Sequence, residues 1–395
     1  MSTKKRVNAL EYPSEVVNSY FKGGKLTPEY SAVSIEGTYP ANVLFAKYSH
    51  MVERYFACSS YAITMSSDGV NFHNYSVSGN NSPFLIEEYL DETKRAAIIA
   101  GKHVMMYSNS SISLKELKYR FDCGVIHCGR LFGVDGYTLR WSGAESYEAW
   151  DEGLHGSGYL TLDPERGKVL NMLVYGGKLI AVREYGLTVF GMYGVPEDFS
   201  VSFTNTDCDR IYKNTACIVG GKIYFCSQSG LKSFDGSKIS PLELKHAVSA
   251  PKSAVEYGGK YFLACKSEQL GRNVILCLDS DGGCCIIDAS ANVLYVKDGV
   301  RFFNSGGQGI LEKGGRFYFE SSALDFGTDR FKTVTQIKVT GKARICITSG
   351  EYSRYFDAEN ETVYPHMRGR RFIVTAEGEG EVSEISVTAE VMDAV

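Results

Sequence analysis

The sequence predicts an all-β chain: a β-propeller of six or seven blades, with an N-terminal extended arm and a small C-terminal β-sandwich-like unit. Three observations predict it. Six times an apolar pair runs into a glycine turn, then a Lys, Arg or His, then a second apolar strand, with the turns at Gly101, Gly129, Gly177, Gly221, Gly259 and Gly299. Val174-Tyr175-Gly176-Gly177-Lys178-Leu179-Ile180 is a representative copy. From Gly129 onward the intervals are 48, 44, 38 and 40 residues, and a period near forty made of strands and tight turns marks a propeller with one small sheet per repeat. Helical periodicity is scarce, and 41 glycines against 9 prolines suit many tight turns rather than a disordered chain.

The arm covers residues 1–48, where no copy of the repeat occurs and Pro13, Gly23-Gly24, Pro28 and Pro40 interrupt the chain. It carries Val16-Val17, Tyr20-Phe21, Tyr30 and Val43-Leu44-Phe45, too many apolar groups to stay solvated. The expected cover is a neighbouring subunit, so that removing 1–48 would leave a folded propeller unable to assemble. The propeller spans 49–320. Arg54-Tyr55-Phe56-Ala57-Cys58 and Tyr61-Ala62-Ile63-Thr64-Met65 read as the first strands of a degenerate blade, followed by a turn at Ser67-Asp68-Gly69-Val70. Residues 83–90 read as one or two helical turns between blades. Later copies show strand, glycine turn, strand, short turn, strand, as in 169–175, 178–183 and 186–190. Seven blades are favoured over six, against a Gly101-to-Gly129 interval of only 28 residues.

The unit at 321–395 alternates apolar and polar residues with period two in 333–339, 343–348, 371–376 and 384–391, as half-exposed strands do. Its expected turns are Thr340-Gly341-Lys342, Ser349-Gly350-Glu351 and Glu377-Gly378-Glu379-Gly380. The alternative is that one of these strands closes the last blade.

A net charge of −4, evenly spread, does not suggest a nucleic-acid groove. Lys4-Lys5-Arg6 leads into polar residues rather than an apolar stretch, so no secretory signal is read, and no apolar run is long enough to span a bilayer. No membrane partner is expected. Eleven cysteines without a framework predict free thiols and a reducing compartment. The nearest metal pattern is Cys123, His127 and Cys128, with Cys284-Cys285 elsewhere, and buried strand thiols are favoured over zinc.

Ser66-Ser67-Asp68-Gly69-Val70-Asn71-Phe72 partly resembles the Asp-box turn of sialidases, which is itself a structural feature. Arg183-Glu184-Tyr185 holds the residue types of a sialidase Tyr–Glu pair, but adjacent strand residues face opposite ways. Asp122, Asp135, Glu145, Glu148, Asp151 and Glu152 are the carboxylates available for a glycosidase pair. Trp141 and Trp150 beside them mark the best surface for a sugar, against the plainer reading of two tryptophans packed on a neighbouring blade. His50, His73, His103, His127, His155, His246 and His366 share no spacing, Gly306-Gly307-Gln308-Gly309 lacks the helix of a phosphate cradle, and Met105-Met106 fits a core. No residue is assigned as catalytic, cofactor-binding or metal-ligating, and no cofactor is expected.

Leu139-Arg140-Trp141-Ser142, the loop ending at Trp150, Gly158-Tyr159-Leu160-Thr161-Leu162 and Gly186-Leu187-Thr188-Val189-Phe190 together resemble β-propeller structural proteins of tailed bacteriophages. Leu324-Asp325-Phe326-Gly327, Lys332 and Gln336-Ile337-Lys338-Val339-Thr340-Gly341 are similar to the sandwich that follows the propeller in tail nozzle and hub proteins, and 16–24 resembles their arm. The resemblance implies a non-enzymatic virion protein, synthesised and assembled in the bacterial host cytoplasm. It implies a homo-oligomeric ring joined to other tail or portal-proximal virion proteins, with DNA passing a channel without sequence-specific binding. The rival readings are a glycan-binding or sialidase-like hydrolase, and a cytosolic WD40-type interaction platform, which the want of a Trp-Asp signature in each blade disfavours.

Overall fold

The computed structural model describes residues 3–22, 25–77, 83–90, 92–144, 147–150, 156–205, 208–244, 247–280 and 283–391. The chain is all-β: strands account for 65% of it, and helix among the described residues is limited to single 3-10 turns such as Ala9–Glu11 and Pro164–Arg166. No helix among them is long and apolar enough to cross a membrane.

Seven antiparallel sheets form a seven-bladed propeller. Blade one is Phe45–Ser49, Arg54–Cys58, Ala62–Ser66 and His73–Ser76. Blade two has three strands, Pro83–Leu90, Thr93–Ser108 and Ser111–Phe121. Blade three begins at Cys123–His127, blade four at Val169–Tyr175, blade five at Cys217–Val219 and blade six at Val248–Tyr257, each with four strands. Blade seven comprises Val293–Val296, Val300–Asn304 and Gly307–Lys313, and its fourth strand is Tyr30–Ile35 from the N-terminal region.

The repeated glycine turns join the first and second strands of blades. Gly176 and Gly177, Gly220 and Gly221, and Gly258 and Gly259 all have positive φ, the geometry that a two-residue hairpin needs to match strand twist. The copy at Gly101 is different. Thr93–Ser108 runs through it as one strand, and the pairing with Ser111–Phe121 shifts register between Gly101 and His103. A bulge there, not a turn, explains the 28-residue interval. Residues expected as helical turns are the strand Pro83–Leu90, because a short buried apolar run such as Phe84, Leu85 and Ile86 has no periodicity to tell strand from helix.

Blade faces bury against one another. Phe56, Ile63, Ile98 and Met105 form one core, Phe84, Ile99, Phe121 and Leu131 the next, and Phe132, Leu139, Leu179 and Phe190 the one after. At the junction of blades one and seven, Tyr55 and Phe72 pack with Tyr295 and Phe303.

Polar ties fix the loops between strands. In blade five Asp209 accepts from the Ser229 N–H at 2.5 Å, Ser229 Oγ at 3.0 Å and Lys232 Nζ at 2.5 Å. Burial alone would raise its pKa, but the hydrogen bonds from Lys232, Ser227 and Ser229 outweigh it and hold the carboxyl down at about 2. A carboxyl depressed in the folded state adds stability above its unfolded pKa near 3.8, and that stability is lost as pH falls toward 2. Asp209→Asn is therefore expected to cost about 2 kcal/mol at neutral pH, a cost that fades across that acid range. Denaturant melts at several pH values check this. A cost that is the same throughout would show that shape, not charge, holds the loop.

The chain forms two compact units, one of Met1–Val33, Val274–Ala289 and Leu311–Val395, the other of Ser34–Asn273 and Ser290–Ile310. In the first, eleven strands make one sheet that is nearly closed and barrel-like. Its centre is the long strand Lys332–Ser349, which pairs with Val382–Val391 along its first half and with Ile373–Gly378 and Tyr352–Glu359 along its second. Ile337, Ile345, Phe372, Val374 and Val387 fill the interior. The expected turn at Thr340-Gly341-Lys342 is a bulge within that strand, where the register shifts at Gly341. A Cβ there would lie 2.3 Å from the Glu381 carbonyl oxygen, so glycine permits the close approach.

The expected boundaries 1–48, 49–320 and 321–395 differ from this arrangement. Thr3–Asn8 pairs with Val382–Val391, Pro13–Val17 with Phe317–Ser321, and Phe45–Ser49 is the inner strand of blade one. Composition located the arm, but Thr3–Asn8 and Pro13–Val17 are woven into a sheet with strands hundreds of residues away. The first blade likewise starts one strand earlier than expected. The closing strand comes from the N-terminal side, not from the C-terminal unit.

Candidate functional site

First strands of all seven blades, with the residues leading into them, line a cavity of about 600 Å³, a size that suits a small ligand. Leu44, Val125, Leu173, Val255 and Leu294 give it apolar wall, and Lys47, Asp122, Lys213 and Glu256 give it charge. Two lysines against two carboxylates leave the wall close to neutral, apart from His50. The surrounding protein pushes the Lys213 ammonium down, while Cys123 and Asp122 act the other way. Burial pushes the Cys123 thiol up to about 12, so it is protonated and unreactive at neutral pH.

Of the sequence candidates, Asp122, Cys123 and His50 line this cavity, and the others fall elsewhere, mostly into structural roles. Trp141 is only 8% exposed and donates from Nε1 to the Gly156 carbonyl at 3.1 Å, packing on Phe132 and Phe199. Trp150 is 5% exposed against Phe121 and Tyr119, with its Nε1 unpartnered among the described residues. Buried indoles offer no platform for a sugar ring. Glu148 pairs with Lys115 at 2.6 Å and Asp122 lies 3.7 Å from Arg120, whereas Glu145, Asp151 and Glu152 lie outside the described residues.

Asp68 caps its own turn. Its Oδ1 accepts from the N–H groups of Asn71 and Val70 and from Ser66 Oγ, bonds that hold the carboxyl well below the usual range. Gly69, at φ +76, approaches the Tyr55 ring so closely that a Cβ would lie 2.6 Å from it. Arg183 is buried and donates to the carbonyls of Gly167 and Asp163, tying down the Pro164–Arg166 turn. Glu184 accepts from the Lys168 N–H at 3.0 Å, and Tyr185 is exposed. These are supports for loops.

His127 is buried, and burial lowers its pKa; Cys128 Sγ lies 3.5 Å from its Nε2. No group of metal-ligating side chains forms among the described residues. No disulfide joins any of the eleven cysteines, and Cys128 is the exposed one. Ser305-Gly306 forms the two-residue turn of the hairpin Val300–Asn304 to Gly307–Lys313. His103 sits 3.5 Å from Glu116, His50 packs edge-on against Tyr48, and His366 stacks on Tyr364. His73 lies in a strand; His155 and His246 lie outside the described residues.

Sequence reasoning missed Lys47, Lys213 and Glu256 as neighbours of one cavity. Each is unremarkable in its own repeat, and the available signal was its place in or just before a repeat's first strand. It also passed over the acid-free run His366-Met367-Arg368-Gly369-Arg370-Arg371, which charge patterning would have flagged.

Neither a known protein family nor a curated protein matches the chain. Among solved structures it is similar to PorZ, an essential surface component of the type-IX secretion system of Porphyromonas gingivalis, with a TM-score of 0.50 and 12% identity over 85% of this chain and 56% of that one. It is also similar to the extracellular domain of the putative one component system BT4673 from B. thetaiotaomicron, with a TM-score of 0.50 and 9% identity over 85% of this chain and 47% of that one. The chain spans about half the length of these structures, and at such identity the likeness is one of fold.

Proposed function

We propose that the chain is a non-enzymatic structural subunit of a tailed-phage virion, at the tail nozzle or hub, assembled as a homo-oligomeric ring with other virion proteins in the host cytoplasm. The observation that carries this reading is an uncovered edge strand. Among the described residues Tyr352–Glu359 pairs with Lys332–Ser349 on one side only, and Tyr352 and Tyr355 are 78% and 63% exposed on it. Unpaired edges and exposed aromatic groups are costly to leave bare, and proteins that keep them commonly cover them with a partner. The motifs of the phage resemblance support the same reading as scaffold. Ser142, after Trp141, accepts from the Leu131 N–H at 3.0 Å, and Gly186–Gly191 is a buried strand of blade four.

Native mass measurement with negative-stain imaging tests it. A discrete ring, alone or on purified tails, is expected, and Tyr352→Ser with Tyr355→Ser should weaken assembly without lowering the melting point. A chain that stays monomeric at all concentrations and does not bind tails would overturn the reading.

A further inference from the structure

The barrel-like sheet carries a cluster of arginines around one exposed phenylalanine. Phe331 is 44% exposed, and the guanidinium carbons of Arg368 and Arg370 lie 5.2 Å and 4.8 Å from its ring centre. Backbone pairing brings them together: Met367–Gly369 is hydrogen-bonded beside the start of Lys332–Ser349, immediately after Arg330 and Phe331. Arg330, Arg368 and Arg370 make no ion pair among the described residues. Arg371 reaches Asp329 at 3.6 Å, with side chains 67% and 87% exposed, an arrangement too solvated to neutralise much. In a chain of net charge −4, this is a local concentration of positive charge rather than part of a general excess.

The charges are also arranged. Burial alternates from Tyr364 to Arg370, leaving Tyr364, His366, Arg368 and Arg370 outward and Pro365, Met367 and Gly369 inward. Arg368 lies in the strand Met367–Gly369, and the chain turns just before it at His366, whose φ is +45°. The Tyr364 and His366 rings stack at that turn with their planes 19° apart, next in sequence to the arginines.

We propose that this patch binds single-stranded nucleic acid, with the arginines on phosphodiester oxygens and the rings and guanidinium planes against bases. Arginine forks match phosphate oxygens in pairs, and aromatic faces accept any base. An acidic peptide would satisfy the charges but leave the rings without a flat partner. A membrane surface calls for a broader apolar face than one phenyl ring. The inference is independent of the virion reading: binding without ring assembly, or assembly without binding, would be separate results.

The test is fluorescence anisotropy of the full chain with a labelled single-stranded oligodeoxynucleotide of mixed sequence, across a salt series. Sequence-independent binding that weakens with salt is expected. Arg368→Ala with Arg370→Ala should weaken it and flatten the log–log salt slope by about 0.7 per arginine. Phe331→Ala should weaken binding with the slope unchanged, and unaltered thermal melts would show that the variants fold. Absence of binding at low salt, equal displacement by polyglutamate, preference for phosphatidylserine vesicles over the oligonucleotide, or unchanged binding by the double arginine variant would each overturn the proposal.

Discussion

A chain that begins at residue 36 is expected not to fold. It would lose Tyr30–Ile35, the fourth strand of blade seven, and the strands Thr3–Asn8 and Pro13–Val17 that pair into the barrel-like sheet. Leu10 and Leu26 are fully buried in that sheet's core, and Val17, Tyr20 and Tyr30 are also buried. Each large apolar side chain so buried is worth about 1.5–3 kcal/mol, so their sum rivals the whole stability of an ordinary domain, about 5–15 kcal/mol. The hydrogen bonds go too. Asn18 donates from its backbone to the Ile286 carbonyl at 2.7 Å and accepts at its side chain from the Asp288 N–H at 3.0 Å. The truncated protein should be insoluble, or soluble without a cooperative melt. A melt like that of the full chain would mean the N-terminal strands are accessory. The sequence expectation that residues 1–48 could be removed from an intact propeller is thus replaced by its opposite.

The second large effect is expected at Lys332. Its side chain is fully buried, and its Nζ donates to the carbonyls of Thr328 at 2.8 Å and of Arg370. Burial pushes the ammonium pKa down, while Asp325 and Asp329 oppose the shift. Its backbone pairs with Gly369 on one neighbouring strand and Val391 on the other, and the residue has no exposed surface. Lys332→Ala removes the bonds and leaves a cavity, and should cost about 4 kcal/mol. Lys332→Met keeps most of the volume but strands two carbonyls, and should cost about 2 kcal/mol. Thermal unfolding should rank wild type above Met and Met above Ala. An alanine variant that melts with the wild type would show that the carbonyls find other donors.

Much of the fold was legible because its signals are local. Gly176-Gly177, Gly220-Gly221 and Gly258-Gly259 each adopt the paired positive φ of a tight hairpin, a choice made by the two residues themselves. Repeated at intervals near forty, those turns count blades. Where local signal was ambiguous the reading slipped. Gly101 looks like its fellows but sits in a bulge, and the apolar run before it reads equally as helix or buried strand. The candidate sites were legible as residue types but not as geometry. Arg183 looked like a substrate arginine, and only the structure shows its donors spent on the Gly167 and Asp163 carbonyls.

By itself, then, the sequence determined the all-β class, the blade turns and the alternation of buried and exposed residues along the long strand Lys332–Ser349. Tertiary structure alone decided which strands far apart in sequence became neighbours. Nothing in the side chains of Tyr30–Ile35 names Gly307–Lys313 as its partner, and nothing in Thr3–Asn8 names Val382–Val391. Strands pair through backbone N–H and C=O groups that nearly every residue carries, so pairing is selected by the shape and burial of the assembled molecule rather than by the letters of either strand.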